Sequence, residues 1–191
     1  MNALTVNFNS IIKLTDEQFF QLCQENELVL LERNPDRTLV LMPLSGGLKS
    51  ICNCHLTAQL ANWNRDEKLG VAFGSCTGFT LPNGAVRSPS AAWIKWDRWD
   101  VLTEEKREKF APICPDFVVE LRTNDDCWQR LQTKMQEYRD NGAKFGWLID
   151  LETRQVEIYR QGREVEVLKS PVSLSGEDVL PGFILNLEPI W

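Results

Sequence analysis

One histidine, His55, is all that 191 residues provide, which excludes chemistry that needs two or more imidazoles, from His-rich zinc centres to histidine pairs. Positive charge is also in deficit, since 21 Lys and Arg against 27 Asp and Glu leave a formal net charge of -6. A phosphate polymer or an anionic membrane is therefore not attracted to the molecule as a whole, and only a local basic cleft could hold one. No run approaches the roughly 18 apolar residues of a membrane span. The opening MNALTVNFNS lacks a basic region followed by an apolar one, so neither a span nor a signal peptide is expected and the expected compartment is the cytoplasm. Metal-binding cysteine pairs are missing too. The six cysteines include Cys52-Asn53-Cys54-His55, a spacing too tight and too isolated for structural zinc, and all six are expected as free thiols.

What is present is the composition of an ordinary globular protein, 43% hydrophobic and 25% charged. The length suits a single domain over residues 1–191. Seven tryptophans are expected in the core or at a dimer contact, and they suggest a homodimer.

The stretch from Pro115 to Asp150 is the most informative. Residues 115–122 alternate, with Asp116, Val118, Glu120 and Arg122 on one face and Phe117, Val119 and Leu121 on the other. Asp125 or Asp126 then stands where a helix cap belongs, ahead of the stripe Leu131, Met135, Tyr138 and the stop signal Asn141-Gly142. Phe145 to Ile149 is an unbroken apolar run, the pattern of a strand covered on both faces. Strand, helix and strand make a βαβ unit with two parallel strands. Charges at Glu120 and Arg122 on an interior strand must be paired, solvated at a cleft or bound to a metal.

Elsewhere, Thr15 and Gln18 spell a capping box for a helix to Asn26, and Arg33-Asn-Pro-Asp-Arg37 joins strands at 29–32 and 39–42. Gly46-Gly47 with Lys49 precedes a helix from about Cys52 to Trp63, and is either a phosphate-binding helix start or a plain loop. Strands are expected at 71–73, 78–81 and 91–94, a surface helix at 104–109, and a hairpin over 156–168. The chain returns over 179–187 with a corner at Pro181-Gly182.

The ordered run Thr77-Gly-Phe-Thr-Leu-Pro-Asn-Gly-Ala-Val-Arg-Ser-Pro89, followed by Pro115-Asp-Phe-Val-Val-Glu-Leu121, Lys134-Met135, Tyr138, Gly146-Trp-Leu-Ile-Asp150 and Leu180-Pro-Gly-Phe183, resembles the Uma2 family, also called DUF820, over nearly the whole chain. That family is similar to the PD-(D/E)XK nucleases. The resemblance implies an α/β fold with a restriction-endonuclease-like mixed sheet flanked by helices, with additional β-hairpins. It also implies a Mg2+-dependent DNA endonuclease, with Mn2+ as the substitute metal. Carboxylates would gather the cation, which lowers the pKa of bound water, while a lysine steadies developing charge.

Carried onto this chain, the resemblance makes Glu120 a metal ligand and puts Arg122 where the pattern has lysine. Arginine does not give up its proton, so Arg122 is expected to clamp a phosphate and the helix-borne Lys134 to stabilise charge. The leading acid departs from the pattern. Where the family would read Arg-Ser-Pro-Asp-Ala, this chain reads Arg87-Ser-Pro-Ser90-Ala91, and a neutral hydroxyl is a poor magnesium ligand. Asp116 is the candidate replacement metal ligand, although an extended strand sets it about 13 Å from Glu120; Glu32 and Glu27 are further candidates. The expectation is an endonuclease weakened or silenced at Ser90. The alternative is a non-catalytic member of the fold that binds nucleic acid or protein, and the same carboxylate chemistry also admits a hydrolase of small phosphoesters.

Overall fold

The structure, a computed structural model, describes residues 3–123 and 126–191. A short edge strand β1 (Leu4–Val6) leads to α1 (Asp16–Glu25), whose capping box is present as the sequence predicts: Thr15 accepts from the Gln18 amide and Gln18 accepts from the Thr15 amide. The hairpin β2 (Leu30–Arg33) and β3 (Leu39–Met42) turns through Asn34 and Arg37 as expected. Helix α2 (Gly47–Glu67) starts about five residues earlier than expected and has Gly46 at its N-cap with no side-chain cap. Its first turn was hidden because Leu48 and Ile51 are exposed, so the apolar period that marks a packed helix begins only where α2 meets the core at Leu56 and Leu60.

Next come β4 (Gly70–Gly74), β5 (Phe79–Thr80), β6 (Val86–Arg87) and β7 (Ala91–Lys95), then the short helices α3 (Trp96–Trp99) and α4 (Glu104–Glu108). The central unit is β8 (Phe117–Arg122), α5 (Trp128–Asp140) and β9 (Phe145–Asp150), with β8 and β9 parallel in the register Glu120 to Leu148. Asp126 does not cap α5; Cys127 stands at the N-cap without a side-chain bond, and Asp125 lies outside the described residues. The hairpin of β10 (Gln155–Arg160) and β11 (Glu166–Lys169) and the smaller hairpin of β12 (Ser173–Ser175) and β13 (Ile184–Asn186) complete the chain.

These strands form two main sheets and a two-stranded one, so the mixed sheet flanked by helices is present and the additional hairpins contribute to further sheets. The larger is mixed, in the order β11-β10-β9-β8-β7-β4, and the smaller is antiparallel, in the order β1-β3-β2-β6-β5. Strands β1, β6 and β12 were too short to show a period, and β6 carries a charge, Arg87, that ordinarily argues against a buried strand.

Alternation along β8 sorts the core as the sequence predicts. Phe117, Val119 and Leu121 pack with Leu56 and Leu60 of α2 and with Trp147 and Phe183, while Val118 joins Leu131, Met135 and Tyr138 of α5. Helix α5 lies close on the sheet because Gly146 leaves room for it: a Cβ there would stand 2.6 Å from the Met135 methyl. That close approach brings the inner face of α5 down onto the polar end of β8.

Candidate active site

Lys134 lies on the same face of α5 as the core residue Leu131, yet it carries an ammonium into the protein interior. Such a charge is tolerable only if fully paired. Its Nζ meets Glu120 Oε1 of β8 at 2.7 Å and Glu32 Oε1 of β2 at 2.6 Å, and donates to the Ser88 carbonyl at 3.3 Å. One lysine thus joins the two main sheets through two buried carboxylates. Tyr138, one turn further along α5, donates its hydroxyl to Glu120 Oε1 at 3.3 Å.

The two acids sharing Lys134 are not equivalent. Burial raises the proton affinity of both, but Glu32 also has the Lys134 charge, the Arg87 guanidinium at 3.7 Å and the Ser88 amide at 2.9 Å, which together hold it below the ordinary glutamate range. Glu120 is held above that range, because burial dominates and Glu32 adds repulsion that Lys134 does not cancel. The ammonium between them stays above its ordinary value: burial opposes its charge, and the two carboxylates outweigh burial.

Ser90 closes the cluster on the β7 side, where its hydroxyl accepts the Leu121 amide at 3.1 Å. Ser90, Glu120 and Lys134 all line one cleft of about 150 Å³, together with Gly46, Lys49 and Asn53 of the α2 start and with Asp126. Lys49 and Asp126 pair across it at 2.7 Å. The fold thus brings Ser90, Glu120 and Lys134 to one cleft.

Two expected members are elsewhere. Asp116 lies at the opposite end of the β8 segment, bound to Lys144 at 2.9 Å, Arg98 at 3.0 Å and the Lys95 amide at 3.0 Å. This corrects the expectation that it replaces the missing ligand: the strand stays extended, so nothing shortens the distance to Glu120. Arg122 pairs with Asp150 at 2.8 Å and donates to the Asp126 carbonyl at 3.3 Å, and it is not among the residues that line the cleft. Its guanidinium is committed to the βαβ unit, which corrects the clamp expectation in this arrangement. Two participants were missed. Arg87 supports Glu32 and pairs with Glu137 at 2.5 Å, and Asp126 lines the cleft instead of capping α5. A charged residue inside the short run Ala85-Val-Arg87 was the available signal for the first.

Metal binding is testable on the donor set. Among the described residues no group of three His, Cys, Asp or Glu side chains is placed to hold a metal ion. Glu120 offers a carboxylate and Ser90 a neutral hydroxyl, which is enough for magnesium only in an open site that keeps its waters and takes part of its coordination from a bound phosphate.

A family model described as "Putative restriction endonuclease", Uma2, matches residues 16–188. The chain belongs to the Uma2 family. A crystal structure described as a "putative nuclease belonging to DUF820", from Anabaena variabilis ATCC 29413, superposes with a TM-score of 0.71 at 21% identity, covering 87% of this chain and 90% of that one. At that identity the likeness establishes the shared nuclease-like fold. None of the curated proteins matches this chain. No helix among the described residues is long and apolar enough to cross a membrane.

Proposed function

We propose that this Uma2 protein is a divalent-metal-dependent DNA endonuclease of the PD-(D/E)XK kind, with turnover and metal affinity reduced by the serine at position 90. The observation that carries this reading is the meeting of Ser90, Glu120 and Lys134 in one cleft, from the bend before β7, from β8 and from α5. A purely structural ion pair needs no cavity beside it. Glu120 and Ser90 are the residues that would hold Mg2+ or Mn2+, which when bound supplies activated water and screens the phosphate. Lys134 steadies negative charge on a phosphate oxygen, while Glu32 and the Ser88 carbonyl keep its ammonium in position. Arg87 acts through Glu32 by holding that carboxylate ionised.

The test is cleavage of supercoiled plasmid with Mg2+ or Mn2+ by the natural protein, Ser90→Asp and Glu120→Ala. The expected order is Ser90→Asp fastest, the natural protein slow, and Glu120→Ala inactive. Ser90→Asp also places a third carboxylate against Glu120 and Glu32, so its melting temperature falls without metal and recovers with it. A variant that gains neither cleavage nor a metal-dependent melting shift refutes the assignment of position 90. The second reading, a non-catalytic nucleic-acid binder, is favoured by one observation: all three ammonium hydrogens of Lys134 already have acceptors. It predicts DNA binding without metal and no cutting by any variant. Cytoplasmic location and a homodimer remain part of the proposal, the latter tested by sedimentation.

A further inference from the structure

Helix α5 carries a second cation four residues before Lys134 and therefore on the same helix face. Arg130 makes its side-chain hydrogen bond to the Met42 sulfur at 3.1 Å, a weak acceptor, and among the described residues it enters no ion pair. It faces a separate cavity of about 250 Å³ that shares Lys134 with the candidate active site and is also lined by Glu32, Asn34, Arg87, Thr133 and Glu137. Three of these lining groups, counting Arg130, are cations and two are carboxylates.

Glu137 is paired with Arg87, and Lys134 is divided between Glu32 and Glu120, which lies outside this lining. Arg130 is thus the one lining cation that no carboxylate holds among the described residues. A concave site that presents such a guanidinium favours an anion. Planar guanidinium hydrogens suit phosphate oxygens, and Asn34 and Thr133 add neutral polar groups beside them.

We infer that this cavity is a second anion site, which takes a phosphate group through Arg130 next to the group that binds at Glu120 and Lys134. The inference rests on the nuclease reading for its natural source, a backbone phosphate of the DNA strand; a free phosphoester has the same chemistry. Arg130 is then the phosphate clamp of this protein, the role that Arg122 cannot fill while it holds Asp150.

The experiment compares the natural protein with Arg130→Ala, Arg130→Lys and, as a control on the same helix, Arg139→Ala. Fluorescence anisotropy with a short labelled duplex and the matching single strand is measured across a salt series, and melting temperature is measured with inorganic phosphate. Arg130→Ala should weaken DNA binding about tenfold at low salt and reduce the slope of log affinity against log salt by about 1. It should also abolish the phosphate-induced melting shift. Arg130→Lys should retain the salt slope and lose only part of the affinity, and Arg139→Ala should change neither. If phosphate stabilises the protein through Arg130 while neither DNA form binds, the anion site stands and the DNA reading falls, leaving a small phosphoester as the source. If Arg130→Ala keeps the DNA affinity, the salt slope and the phosphate shift of the natural protein, the inference is overturned.

Discussion

Strand β8 carries an acid at each end of its polar face, and the two are treated oppositely. Asp116, just before the strand, is 1% exposed and lies among Lys144, Arg98 and the Lys95 amide. Burial opposes its charge, but those partners outweigh it and hold the carboxyl below the ordinary aspartate range. Glu120 is 5% exposed and shares one lysine with another acid, so burial prevails and its proton affinity rises. One end of the face is saturated with cations and the other is one cation short. The deficient end is the one that opens into a cleft, and a shortage of positive charge beside a cavity is what a metal ion can relieve. Buried acids thus differ in use according to how fully their partners match them.

The sharpest way to break this comparison is Asp116→Ala. It removes the buried acceptor shared by Arg98, Lys144 and the Lys95 amide, and because both cations left behind reach solvent the cost is about 1.5–3 kcal/mol, read as a lower urea midpoint. Because the folded pKa of Asp116 is depressed, its stabilisation is complete above the ordinary aspartate value and is lost as pH falls through the lower folded one. The gap between natural and variant protein should close over that acid range.

Glu120→Gln should act with the opposite sign. A glutamine keeps an oxygen for Lys134 and Tyr138, removes the repulsion from Glu32, and should stabilise the fold by about 1 kcal/mol at neutral pH while abolishing cleavage. Here the folded pKa is raised, so ionising Glu120 penalises the natural protein increasingly as pH rises from the ordinary glutamate value through the higher folded one. The gain should be absent at low pH and full above that window. A Glu120→Gln protein that is destabilised at neutral pH would show that the two ends of the strand are alike. The smallest effect is expected for Lys144→Ala, at under about 1 kcal/mol by thermal melting, because Lys144 is half exposed and Arg98 and the Lys95 amide remain on Asp116.

Much of this was legible without coordinates. The alternation in β8, the Leu131-Met135-Tyr138 stripe and the apolar run of β9 each have a period set by backbone geometry, and they fixed the βαβ unit and which residues of β8 face α5. The cleft residues Ser90, Glu120 and Lys134 were named from the ordered runs that resemble Uma2. Arg87, Asp126 and the cavity beside Arg130 were not, since each depends on a partner 50 or more residues away in sequence or on the space between elements.

Local order was thus written in the sequence, because the placement of polar and apolar side chains along a strand or helix follows from 2.0 and 3.6 residues per repeat. So was the presence of a serine at position 90, which is a matter of identity alone. Partner choice was decided only by the tertiary structure. Arg122 went to Asp150, Asp116 to Lys144 and Arg98, and Lys134 to two acids on different sheets. Charge pairing depends on distance and burial in three dimensions, and neither has a period that can be read along the chain.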